Sequence, residues 1–177
     1  MARNKPAPDP YATALRMLAR RAYSVAELRR ALERKFPGHA GVGAALARLR
    51  QLGYLDDRKF AEQYASALAR HRGFGRYRVR RELKAKLVDY RAIEPALDQA
   101  FEETPEADLL ARALEKKIRT LRRPVTSSRL ASLCQSLLRQ GFRADDIMKA
   151  VRSRPELQPV SEEVSAADMD EVKEGSE

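Results

Sequence analysis

The chain has 177 residues, one cysteine, two histidines and no tryptophan, and 35 Lys and Arg against 25 Asp and Glu give a formal net charge of +10. Cys134, His39 and His71 are too few for a Cys/His zinc site or a disulfide framework. No apolar stretch reaches spanning length and no secretory leader is present, which argues against a membrane protein and for a cytoplasmic one.

A core short of aromatics must be built from Leu, Ala, Val and Ile, which suits helices. Residues 1–10, with Pro6, Pro8 and Pro10, read as a disordered arm. Helical periodicity starts at Tyr11 and runs through Leu15, Leu18 and Ala19 to about Arg21. Ser24 is a good N-cap for a second helix. Glu27 at N3 completes a capping box, and Leu28, Leu32 and Phe36 follow at four-residue spacing. Pro37-Gly38 ends that helix, and a third spans about 41–52 with Val42, Ala45, Leu46 and Leu49 on one face.

The next turn, Gly53-Tyr54-Leu55-Asp56-Asp57-Arg58-Lys59-Phe60, ends one helix and starts another with no slack. Gly53 fits the left-handed C′ position, and Tyr54 at C″ is placed to cover Leu49. Asp56 is the natural N-cap of the following helix and Asp57 favours the positive end of its dipole. Leu55 is placed to staple onto Phe60. Such a turn fixes the angle between two units.

The apolar frame then recurs. A shift of 51 residues places Leu28 on Val79, Leu32 on Leu83, Val42 on Ile93 and Leu46 on Leu97. A further shift of 54 places Val79 on Leu133, Leu83 on Leu137 and Ile93 on Ile147. Helices are expected at about 57–72, 75–87 and 89–101, and again at about 105–121, 127–140 and 144–152. Pro95 should kink its helix or delay its start to near Glu94. The fold class is all-α: three tandem three-helix, helix-turn-helix-like repeats forming an elongated curved body. Their bounds are 11–56, 57–103 and 104–154, and an acidic disordered tail occupies 155–177.

Charge divides along these bounds. Residues 1–155 hold 34 basic against 17 acidic side chains, whereas residues 156–177 hold Lys173 alone against 8 acids. The basic excess of the body calls for a polyanion or an acidic protein surface as partner, and the tail should compete with that partner. The densest run is Arg70, Arg72, Arg76, Arg78, Arg80, Arg81, Lys84 and Lys86, with Tyr77 among them and Glu82 as the one acid. Val79, Leu83 and Leu87 define the buried face of this helix, so the bases spread over the opposite side. That face suits phosphate contact, with one ring available for stacking on a base. Eight bases against one acid would repel one another without a counter-surface.

No phosphate loop and no catalytic constellation is found, so no catalytic residue, metal or cofactor is assigned. Asp56-Asp57 reads as a cap in preference to a Mg²⁺ pair, Cys134 as a small core residue, and the two histidines as surface groups. Arg122-Arg123-Pro124-Val125 reads as a flexible connection.

The motif Gly53-Tyr54-Leu55-Asp56-Asp57 with Phe60-Ala61 resembles the signature of the RecX family, small regulators of the bacterial recombinase RecA. Also similar are Ala14-Leu15 with Leu18-Ala19-Arg20-Arg21, Ser24 with Glu27-Leu28, Arg72-Gly73 with Glu82-Leu83 and Lys86, and Arg139-Gln140-Gly141-Phe142. The family usually carries Lys-Gly where this chain has Lys35-Phe36 and Lys86-Leu87. The resemblance implies a non-enzymatic monomer that binds the groove of the RecA–single-stranded-DNA filament. It implies inhibition of ATP turnover, strand exchange and co-protease activity, and hence control of recombination and the SOS response. The alternative from the residues alone is a helix-turn-helix transcriptional regulator on duplex DNA.

Overall fold

The computed structural model describes residues 9–159, so the expectations for residues 1–8 of the arm and 160–177 of the tail lie outside the described part. Among the described residues there are nine α-helices and no strand. They are α1 (Pro10–Leu18), α2 (Val25–Lys35), α3 (Gly41–Gln51), α4 (Asp57–Arg72), α5 (Arg76–Ala85), α6 (Tyr90–Glu103), α7 (Glu106–Thr120), α8 (Ser127–Gln140) and α9 (Ala144–Arg152).

Local chemistry sets most of these bounds. The Asp9 carboxylate accepts from Ala12 N at 2.8 Å and Pro10 takes the first helical position, so α1 begins within the expected arm. It ends at Leu18, short of Arg21, where the Arg20 and Arg21 amides both close on the Met17 carbonyl. Ser24 Oγ caps α2 by accepting from Glu27 N at 3.1 Å. The Glu27 carboxylate does not complete the box, because it turns to the Arg21 guanidinium at 2.9 and 3.0 Å. His39 Nδ1 accepts from Gly41 N at 3.0 Å and so caps the start of α3. Pro95 lies inside a helix that runs from Tyr90, so the late start near Glu94 does not occur. Asp89 caps that helix upstream by accepting from Arg91 N at 2.9 Å, and the proline removes only one amide donor.

The motif turn keeps its expected backbone and changes its expected packing. Gly53 has φ +72°, its amide donates to Arg50 O and the Tyr54 amide donates to Leu49 O, both at 3.0 Å, which is a complete Schellman motif. Asp56 caps α4 by accepting from Arg58 N at 2.9 Å and Lys59 N at 3.2 Å. Tyr54 is 62 % exposed, and Leu49 is fully buried within the first core. Leu55 and Phe60 do not staple to each other. Leu55 belongs to the first core, while Phe60 belongs to the second and stacks on Tyr64 with centroids 5.5 Å apart. The short turn thus drives one apolar anchor into each of two cores.

Those cores divide the chain unequally. Helices α1–α3 close over Ala14, Leu28, Leu32, Val42, Leu46 and Leu49. A single second cluster runs from Phe60 through Leu83 and Leu97 to Leu114, Leu137 and Ile147, so α4–α9 share one interior across the boundary expected at 103/104. Phe101, Leu109 and Leu110, on either side of the Thr104-Pro105 turn, are all buried in it. The expected tail boundary also moves. Pro155–Leu157 forms a 3₁₀ turn and Leu157 is fully buried in the second core, a burial that contributes about 2 kcal/mol.

One helix end is strained. Leu87 has φ +58°, and its amide and that of Val88 close on Lys84 O and Leu83 O at 2.9 and 3.3 Å. This is the same Schellman geometry as at Gly53, with leucine where glycine is favoured. A left-handed leucine costs about 1–2 kcal/mol. The other departure, Phe36, has a negative φ, −132° with ψ 66°, and so stays out of the left-handed region that Leu87 enters.

Candidate polyanion interface

Helix α5 owes its orientation to the helices that follow it. The first amides of a helix lack intrahelical partners, and here the third helical group supplies them. Gly75 N donates to Gln140 O at 2.9 Å, Arg76 N to Glu106 Oε1 at 2.7 Å and Tyr77 N to Gly141 O at 3.1 Å. Gly75 and Gly141 permit this backbone approach, since a methyl group at Gly75 would stand 2.5 Å from Gly141 O. With Val79 and Leu83 fully buried, Tyr77, Arg81 and Lys84 face outward, and Tyr77 is 54 % exposed.

The counter-surface that sequence composition seemed to lack lies within the chain. Arg80 forms a two-pronged pair with Glu94 at 2.8 and 2.7 Å, Arg76 pairs with Asp98 at 2.8 Å, and Arg70 pairs with Glu103. Arg78 pairs with Glu82 at 2.7 Å and Lys86 with Glu27 at 3.4 Å. Arg72, Arg81 and Lys84 make no ion pair among the described residues, although Arg72 and Arg78 both stand over the Phe74 ring. The α6 acids had a legible signal. Glu94 and Asp98 follow the buried Ile93 and Leu97 by one position each, which puts an acidic stripe beside the apolar one. The pairs to the exposed Glu94 and Asp98 are worth about 0–1 kcal/mol each.

A second cluster joins the first core to the second. Asp57, read from sequence as a dipole partner, accepts from Val25 N at 2.8 Å through one oxygen and from Asp89 N at 3.1 Å through the other. One carboxylate therefore sits at the starts of both α2 and α6. Ser24 Oγ, fully buried, donates to Lys86 O across the same seam. Asp57 spends both of its oxygens on amides and Asp56 spends Oδ1 on two, which favours the capping role over the Mg²⁺-pair alternative. Among the described residues no group of three His, Cys, Asp or Glu side chains is placed to hold a metal.

Glu27 adds an ionic contact to the seam. Burial pushes its carboxyl up, but hydrogen bonds from Arg21 and the charges of Lys86 and Arg21 outweigh burial and hold it below its ordinary value of 4.5. A depressed carboxylate contributes stability that is complete above its unfolded value and lost as pH falls through the folded one. The stability difference between the parent and Glu27→Gln should therefore be constant near neutrality and close as pH drops below 4.5. Urea titrations over that range measure it, and a difference independent of pH would remove Glu27 from the seam.

The remaining candidates have structural places. Cys134 is half-buried against the second core, and burial pushes its thiol up, away from the reactive thiolate. His71 lines a groove at the end of α4 together with Arg70 and Arg72. The opposite wall is Arg112, Lys116 and Lys117 of α7, three bases that sequence reading did not single out. No helix among the described residues is long and apolar enough to cross a membrane.

Comparison with known proteins assigns the motif and the helices around it. Residues 11–49 match the family model of the first three-helix domain of RecX, and residues 56–97 match that of its second three-helix domain. The regulatory protein RecX of Chlorobaculum tepidum is 34 % identical over 140 residues, covering 78 % of this chain and 84 % of that protein. The regulatory protein RecX of Thermus thermophilus is 41 % identical over 115 residues, covering 64 % and 79 %. The crystal structure of RecX from Lactobacillus salivarius superposes with a TM-score of 0.71 at 20 % identity, covering 81 % of this chain and 93 % of that one, a likeness of fold. With both three-helix domains matched in order and the motif turn lying between their buried cores, the chain belongs to the RecX family of regulatory proteins.

Proposed function

We propose that the protein regulates RecA-mediated recombination and the SOS response by binding the groove of the RecA–single-stranded-DNA filament. In this reading it lowers ATP hydrolysis, strand exchange and co-protease activity. It acts in the cytoplasm as a monomer, without catalysis or cofactor of its own. The observation that carries the reading is the α5 face on a member of this family. Arg81 and Lys84 on α5 and Arg72 at the end of α4 make no ion pair among the described residues, Tyr77 is exposed beside them, and Arg76 and Arg80 are held by pairs with the exposed Asp98 and Glu94. Exposed Tyr54 and Tyr90 supply aromatic groups of the kind that anchor protein contacts.

The duplex-reading alternative is the weaker one. A helix-turn-helix module inserts its last helix into the major groove by the N-terminal end. Here α6 carries Glu94 and Asp98, and α9 opens on Asp145 and Asp146, which would meet phosphate with like charge, while the acid-free α3 has its two arginines at the C-terminal end instead. Preformed RecA filaments supply the test. Their ATP hydrolysis should fall as the protein is added, and the concentration giving half the effect should rise about tenfold, ~1.4 kcal/mol, when Arg72, Arg81 and Lys84 are exchanged for Ala. Hydrolysis unaffected by saturating parent protein would overturn the reading.

A further inference from the structure

The groove between the end of α4 and the middle of α7 has a charge pattern that the α5 face does not share. Arg70 and Arg72 stand on one wall, Arg112, Lys116 and Lys117 on the other, and no carboxylate lines the groove, whose volume is about 510 Å³. Of the three acids of α7, Glu106 accepts from the start of α5 and Glu115 pairs with Arg154, while Asp108, exposed one turn before Arg112, makes no ion pair among the described residues and does not line the groove. None of the three α7 bases makes an ion pair among the described residues. Arg112 and Lys116 lie four residues apart, where like charges destabilise a helix by about 0.2–0.5 kcal/mol. The dipole at the C-terminus of α4 accounts for Arg70 and Arg72. It does not reach Arg112 or Lys116.

The floor of the groove is apolar, formed by Phe74, Leu109 and Ala113. A duplex keeps its base faces stacked and presents only backbone and groove edges, so it has no base face to lay on this floor. A single strand can lay phosphates along both basic walls and turn a base onto the floor, where the Phe74 ring and the Arg72 guanidinium above it, 5.7 Å from the ring centre, offer stacking planes. We propose that this groove binds single-stranded nucleic acid directly, with Arg112, Lys116 and Lys117 as its phosphate contacts. The site stands on the groove's own lining and operates without any RecA protein.

The test uses the full chain, labelled oligothymidylate and several salt concentrations, with filament ATP hydrolysis followed in parallel. Exchanging Arg112, Lys116 and Lys117 together for Ala, a strong helix former, should reduce the salt slope of oligonucleotide binding by about 2, at roughly 0.7 for each phosphate no longer neutralised. Arg112→Lys with Lys116→Arg and Lys117→Arg should restore it. An unchanged slope in the alanine variant, with an unchanged circular dichroism spectrum, would overturn the site while leaving the filament reading intact. Loss of oligonucleotide binding upholds it whether or not filaments respond to the protein. If a synthetic peptide of residues 160–177, which holds seven acids, loses affinity for the alanine variant while oligothymidylate does not, the groove is a seat for acidic polypeptide and the proposal fails.

Discussion

Gly141→Ala is expected to destabilise the fold by about 2–5 kcal/mol, a large part of the 5–15 kcal/mol that holds a typical domain together. Two effects add. At φ +95° a side chain is strained by about 1–2 kcal/mol, and the new methyl carbon would stand 2.3 Å from Arg78 N and 2.4 Å from Arg78 Cβ. Those are atoms of a helix that cannot swing aside. Relief requires α5 and α8 to separate, which stretches the Tyr77 and Gly75 amide bonds and adds an overpacking penalty of about 1–3 kcal/mol. Gly53→Ala is the control, because Gly53 has φ +72° with nothing within 4 Å of the added carbon. It should cost only the backbone share, about 1 kcal/mol, and the β-branched Gly53→Val somewhat more. Equal shifts of the urea midpoint at the two glycines would show that the α5–α8 approach is not tight.

Asp57→Ala should cost about 2–4 kcal/mol and loosen α1–α3 before α4–α9. Hydrogen bonds to a charged group contribute roughly 1.5–3 kcal/mol each, and this carboxylate makes one to each core's helix starts. Because the cores are separate clusters, the loss falls on their coupling. Amide hydrogen exchange should show Leu28 and Leu32 losing protection in the variant while Leu83 and Leu97 retain it. Asp57→Asn, which keeps an acceptor for one of the two amides, should fall between. A uniform loss of protection along the chain would contradict the bridging role.

What sequence reading reached and what it missed separate by range. Asp56 and Gly53 act within a few residues of themselves, as Ser24 does in capping Glu27 N, so spacing alone located those hydrogen bonds; the donation of Ser24 Oγ to Lys86 O spans 62 residues and has no local signal. Asp57 and Glu106 act across 32 and 30 residues, and nothing near them in the chain tells which amide they will meet. The same holds for the acids that neutralise half of the basic run. Glu94 and Asp98 are periodic on α6, but only the packing of α5 on α6 brings them to Arg80 and Arg76. Leu55 and Phe60 sit at ideal staple spacing, yet each finds a larger apolar cluster on its own side of the turn. Leu157 was taken with the acidic tail because its neighbours are polar, although burial is decided by the side chain itself.

The division into two cores has a mechanical corollary. Flexing α4–α9 would open a close-packed interior, which resists deformation, whereas the seam at Asp57, Ser24 and Glu27 is spanned by no buried apolar cluster among the described residues. The seam is held instead by the two hydrogen bonds to Asp57, the Ser24–Lys86 contact and the Glu27 ion pair, directional contacts whose loss uncouples the limbs without opening either interior. The molecule is therefore a stiff limb of six helices with a three-helix limb hinged to it. The hinge softens in acid as Glu27 takes up its proton, so the pitch of the first limb is expected to vary with pH while α5 and α6 keep a fixed register within the second.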